Sequence, residues 1–87
     1  MLFPLGQIVA TRGVLNQVPE SDLREALERY KRGDWGIVSR EDWELNDDAV
    51  REGSRILAAY LSSNGVKFWI ITEGDRSVTT FLLPEEY

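Results

Sequence analysis

Histidine and cysteine are both missing from this chain. Without cysteine there is no disulfide, no thiolate nucleophile and no cysteine-based zinc site, which fits a reducing cytoplasm. Without histidine the usual general base, the usual proton shuttle and the commonest transition-metal ligand are gone too. No apolar run approaches the roughly 20 residues that a membrane helix needs. The opening Met1-Leu2-Phe3-Pro4-Leu5-Gly6 has neither a basic region nor an apolar core of signal-peptide length, so no secretion signal is expected. There is no Gly-rich phosphate loop, and Lys31 and Lys67 form no Ser-x-x-Lys pattern.

What remains is a globular composition. The 87 residues are 43% hydrophobic and 10% aromatic, enough for a single domain spanning 1–87 and too few for a second core. Fifteen acidic and ten basic residues leave a net charge of −5. Phosphate neutralisation needs a net basic face, and so does adhesion to an anionic membrane. The balance argues against direct nucleic-acid binding and against a membrane partner. The excess of acid serves solubility; the sharper reading is an acidic face that meets a basic partner.

The last third carries the clearest pattern. Ile56–Leu61, Val66–Thr72 and Ser77–Leu83 are apolar, β-rich runs separated by Ser62-Ser63-Asn64-Gly65 and by Glu73-Gly74-Asp75-Arg76, and Pro84 stops the last. Asn-Gly between two such runs is a strong hairpin signal, and a type I′ turn needs positive φ at both central residues. The expectation is a three-stranded antiparallel meander.

Earlier in the chain, Leu5–Ala10 is a short strand candidate, and Thr11 caps a brief helical turn through Gly13 to Gln17. Pro19–Lys31 reads as a helix: Leu23, Ala26, Leu27 and Tyr30 form one stripe, acids lie at its start and cations at its end, and Arg24–Glu28 and Glu25–Arg29 are i,i+4 pairs. After the connector Asp34-Trp35-Gly36-Ile37-Val38, Ser39 opens a second helix ending at Gly53. Its stripe of Trp43, Asn46, Asp47 and Val50 is interrupted by two polar residues, and Asn46 is expected to bond backbone of the connector. The predicted fold is α+β, ordered β-α-α-β-β-β, with a three- to four-stranded mainly antiparallel sheet and two helices.

One feature conflicts with a one-sided sheet. Ile56, Ala58, Tyr60, Phe68 and Ile70 share one parity, Leu57, Ala59, Leu61, Trp69 and Ile71 the other, and both sets are apolar. Either a helix lies on each side, or one face meets another chain, most simply a copy of itself about a two-fold axis.

Gly33-Asp34-Trp35-Gly36 and the closing block Ile70–Glu73, Asp75–Thr80 and Leu82–Tyr87, with Gly6-Gln7 and Ala10-Thr11 near the start, resemble a family of small bacterial proteins labelled plasmid-related or hypothetical. This chain departs from that pattern at Gly74, where alanine is expected, and at Trp43, where a polar residue is expected. The resemblance implies a bacterial, cytoplasmic setting, often on mobile DNA, and carries no activity, cofactor or catalytic residue.

Several clusters could carry chemistry. Asp34 and Trp35 form a candidate recognition pair in the connector, although Asp34 capping a turn with Trp35 packed inward explains the same residues. Glu73, Asp75 and Arg76 crowd the second turn, where two carboxylates and a guanidinium could hold an anion or do acid–base work; the structural alternative is Asp75 capping backbone and Arg76 paired to a carboxylate. Glu44, Asp47 and Asp48 share a helix, but no metal loop accompanies them, and no metal or cofactor is assigned. Trp69, with Phe68, Phe81 and Tyr60, lacks the interleaved basic residues of a base-stacking platform and is a candidate protein contact instead. The candidate binding residues are therefore Asp34, Trp35, Trp69, Glu73, Asp75 and Arg76, with no catalytic residue assigned. The favoured function is a non-enzymatic protein-interaction module. The alternatives are an acidic inhibitor mimicking nucleic acid against a DNA-processing or defence protein, and a small carboxylate-based enzyme.

Overall fold

A computed structural model of the chain describes residues 2–87. Among these residues the order is β1 (Gln7–Ala10), α1 (Arg12–Gln17), α2 (Glu20–Lys31), α3 (Arg40–Glu52), β2 (Ile56–Leu61), β3 (Lys67–Thr72) and β4 (Val78–Leu82), followed by a 3₁₀ turn at Pro84–Glu86. The fold is α+β as expected, with one helix more. The turn begun at Thr11 is a helix because Thr11 Oγ1 accepts from the Val14 amide and Val14 is fully buried.

The sheet runs β1-β4-β3-β2. β2, β3 and β4 form the antiparallel meander, whereas β1 lies parallel to β4 with Ile8 beside Thr79 and Val9 beside Thr80. The first hairpin is not a two-residue type I′ turn. Ser62 and Val66 pair through their backbones, and of the loop residues Gly65 alone has positive φ, at +82°. The result is a three-residue loop with its left-handed residue last. Asn64 is held otherwise, donating its side-chain amide to the Gln17 carbonyl at 3.0 Å.

One sheet face carries the core. Leu23, Ala26 and Tyr30 of α2, Val14 of α1 and Ala49 of α3 pack with Ile56, Ala58, Tyr60, Phe68, Ile70 and Phe81. Within it runs a buried chain of hydroxyls. Thr79 Oγ1 donates to the Leu5 carbonyl at 2.7 Å, so it must accept from Thr72 Oγ1 at 2.8 Å, and Thr72 then accepts from the Tyr30 hydroxyl at 2.7 Å. Each group has one proton to give, so the direction is unique. Burial pushes the Tyr30 phenol pKa up, keeping it a donor.

The opposite face resolves the two-sided apolar pattern in a third way. Among the described residues no α-helix covers it; the C-terminal segment does, in part. Tyr87 stacks edge-on against Trp69 at 5.7 Å, and Ala59, Ile71 and Leu82 are buried there while Leu57 and Trp69 stay half-exposed.

The outer edge of β2 is closed from two sides. Ile37 donates to the Ala59 carbonyl at 2.7 Å and Ala59 donates to the Trp35 carbonyl at 3.2 Å, so the connector forms a short parallel bridge. One step along, the Asn46 side chain imitates a strand: its amide donates to the Leu57 carbonyl at 2.8 Å and its oxygen accepts from the Leu57 amide at 3.3 Å. Asn46 thus bonds β2 rather than the connector, which explains a buried polar residue on an apolar stripe. Gly36 permits the approach. It has φ +79°, and a Cβ there would stand 1.9 Å from the Ala59 carbonyl oxygen.

Replacing Thr79 by valine takes the donor from the Leu5 carbonyl and leaves the Thr72 hydroxyl, still bonded by Tyr30, with no acceptor for its own proton. Urea unfolding is expected to show a loss of about 1–3 kcal/mol, whereas Thr80→Val, on the other face, should stay within about 0.5 kcal/mol.

Candidate functional site

The connector residues sit together, but they point into the structure. Asp34 receives Arg29 through two nitrogens, at 2.8 and 3.3 Å, and accepts the Gly36 amide at 3.1 Å. The Arg29 guanidinium beside it, more than the turn amide, holds its carboxyl below the usual range. Arg29 is thereby drawn away from Glu25, and the ion pairs on α2 are Arg24–Glu20 and Lys31–Glu28 in place of the two expected. Trp35 is fully buried between Phe3 and Tyr30, and its indole N–H donates to Asp47 at 2.9 Å. Asp47, the second polar residue on the α3 stripe, is a partner for the connector tryptophan.

The second turn is also committed to the fold. Asp75 accepts the Ser77 amide at 3.0 Å, and the Ser77 hydrogen bonds lower its carboxyl pKa. Arg76 does not pair with a carboxylate. Its guanidinium donates to the carbonyls of Ala49 at 2.8 Å, Ser54 at 2.7 Å and Glu73 at 3.2 Å, and lies over the Phe3 ring. It therefore sits at the C-terminus of α3, where the negative end of the helix dipole favours a cation and the Ala49 carbonyl already takes the Gly53 and Ser54 amides. Those bonds hold Arg76 at φ +62°, a left-handed conformation that costs a non-glycine residue about 1–2 kcal/mol. Gly74 packs beside this junction, where a Cβ would approach the Gly53 carbonyl to 3.1 Å; alanine would be tight.

The acidic row of α3 is interspersed with cations: Arg51 pairs with Asp48, and Arg40 stands 4.0 Å from Glu44. Among the described residues no three acids come together as a metal site. Trp43, the other departure from the family pattern, is half-buried against the core and adds little open apolar surface.

A different cluster is left open. Leu45 and Leu57 line a shallow groove of about 270 Å³ with Asp42, Asn46 and Arg55. Arg55 lies over the Tyr87 ring at 4.8 Å, is hydrogen-bonded to the Tyr87 hydroxyl, and stands 3.8 Å from Glu73. Tyr87 in turn meets Trp69. The result is a continuous strip of Leu45, Leu57, Arg55, Tyr87 and Trp69 at the β2 side of the uncovered face, with Leu45 58% and Tyr87 64% exposed. Of the candidate binding residues singled out from sequence, Trp69 belongs to it and Glu73 flanks it beside Arg55. Arg55, Leu45 and Tyr87 were missed. Arg55 stands alone between a helix end and a strand, and Leu45, lying off the helix stripe, was the available signal.

The lowered carboxyl of Asp34 makes a pH prediction. Its folded-state pKa lies below the unfolded value, so its contribution is complete above the ordinary carboxylate pKa of 3.8 and lost as pH falls through the folded one. Urea unfolding followed from neutral pH to about pH 2 should show stability declining below the carboxylate range. In Asp34→Asn the decline should be shallower; an unchanged profile would mean that the Arg29 pair contributes nothing.

Comparison of the chain with protein-family models, with curated proteins and with solved structures gave no match.

Proposed function

We propose that the protein is a non-enzymatic protein-interaction module whose contact surface is the strip formed by Leu45, Leu57, Arg55, Tyr87 and Trp69. One observation carries this reading: the polar residues that could do chemistry are bonded to the fold, while an arginine and two aromatic rings are gathered on the one sheet face without a helix. Trp, Tyr and Arg are the residue types that most often anchor protein interfaces. At about 270 Å³ the groove stands at the lower limit of the ~300–1,000 Å³ of small-molecule sites, and a flat apolar strip suits a protein partner better. Of the residues lining the groove Asp42 alone carries a carboxylate, and Asp34, Glu44, Glu73 and Asp75 are not among them, so the groove holds no carboxylate pair for acid–base work. The cations within the α3 acidic row do not favour a nucleic-acid mimic. A bacterial cytoplasmic setting is supported by the cysteine-free composition and by the resemblance to the plasmid-related family.

A photo-crosslinking side chain placed at position 45 in a bacterial cytoplasm should capture a discrete protein. The same probe at Arg24, on the exposed side of α2, should not. Trp69→Ser combined with Leu57→Ser should cut capture at position 45 by about tenfold or more, as loss of a central aromatic anchor does. Equal capture at both positions, or capture indifferent to the double substitution, would overturn the assignment.

A further inference from the structure

The two edges of the sheet are treated in opposite ways, and the open edge is β1. Gln7 donates to the Ser77 carbonyl at 3.0 Å and Thr11 to the Phe81 carbonyl at 3.0 Å. Odd-numbered residues of this strand therefore face β4. By the alternation of an extended chain, the N–H and C=O groups of Ile8 and Ala10 point the other way. Among the described residues nothing meets them. Ile8 is 48% and Val9 37% exposed, and Gln7 is exposed beside them. Natural edge strands are blunted by shortness, lysine, proline, a bulge or a covering loop; β1 is short, at four residues, but Gln7-Ile8-Val9-Ala10 contains no lysine, proline or bulge.

We propose that β1 is a self-association edge, pairing antiparallel with β1 of a second copy to give a continuous eight-stranded sheet. The register follows from which groups are free. Ile8 and Ala10 present paired donors and acceptors, so Ile8 of one copy bonds Ala10 of the other in both directions, and the two-fold axis passes between the two Val9 residues. Charge favours a copy as the occupant. Residues 1–11 carry no charged side chain, so two molecules of net charge −5 can meet along this edge without placing acids in contact. The pairing also brings Arg12, the first residue of α1, to the end of the interface where residue 6 of the copy enters its own β1. Gly6 packs against Arg76 and Ser77, next to Asp75. Arg12 and Asp75 form no ion pair within the described chain, and the pairing brings these opposite charges to the same end of the interface. Four residues a side bury far less than the ~1,200 Å² of a stable standard interface, so the association is weak and concentration-dependent. It uses the opposite side of the sheet from the Leu45–Trp69 strip and does not depend on that reading.

Sedimentation velocity over a concentration series reaching the millimolar range should show a reversible monomer–dimer equilibrium. Ile8→Pro removes an outward N–H and no bond to β4, a position at which an edge strand tolerates proline. It should weaken dimerisation by at least about tenfold with the near-ultraviolet circular dichroism unchanged. Val9→Cys supplies the chain's sole cysteine. Opposed non-hydrogen-bonded residues have Cα atoms about 4.5 Å apart, within disulfide range. Mild oxidation should therefore give covalent dimer in Val9→Cys far faster than in Leu15→Cys. A wild type that stays monomeric throughout overturns the proposal. So does a dimer that survives Ile8→Pro, or one that is lost with Trp69→Ser instead, which would move self-association to the other face.

Discussion

Every strand at the end of a sheet carries amides and carbonyls that need partners, and meeting that need at β2 organises this molecule. The connector passes close enough to bridge Ala59 because Gly36 has no side chain, and α3 lies where Asn46 can serve Leu57. Trp35 is buried by the same approach, and Asp47 is placed to take its indole proton. Asp34 and Arg29 hold the start of the connector. The pair is about one-third exposed and contributes only ~0.2–1 kcal/mol, so its value is geometric: it sets the turn from which the bridge departs.

The other side of the sheet is tied down from within. The directed chain from Tyr30 through Thr72 and Thr79 to the Leu5 carbonyl links α2, β3, β4 and the segment leading into β1. Arg76 does similar work at the periphery, joining the β3–β4 turn to the end of α3. Both use groups that in isolation suggest chemistry, a buried tyrosine with hydroxyl partners and an arginine that follows two acids in sequence. In each case the groups they touch are backbone carbonyls or other hydroxyls, and structural satisfaction accounts for them. The surfaces left over are apolar: a strip with Arg55 at its centre and the bare edge of β1.

Much of this was legible in the sequence because it is local. The strands of the meander, both long helices, the N-caps at Thr11 and Ser39 and the left-handed Gly53 follow from short-range patterns. Asp34 as a turn cap and Trp35 as a buried ring were readable for the same reason. What could not be read depends on distant partners. β1 pairs with a strand about 70 residues away, and four residues carry no sign of parallel or antiparallel neighbours. Asn46 and Asp47 did announce themselves as polar breaks in an apolar stripe, yet their partners Leu57 and Trp35 emerge only once helix and sheet are packed. The role of Arg76 was not legible because the acids beside it in sequence carry no sign of the helix end beside it in space.

The contrast between a closed β2 edge and a bare β1 edge is open to a single measurement: amide hydrogen exchange, residue by residue, on dilute protein. The Leu57 and Ala59 amides should be protected to a degree approaching the interior strand β3, because Asn46 and the Trp35 carbonyl hold them, while Ile8 and Ala10 should exchange close to the rate of an unstructured chain. Fast exchange at Leu57 and Ala59, or strong protection at Ile8 and Ala10 in the monomer, would contradict it.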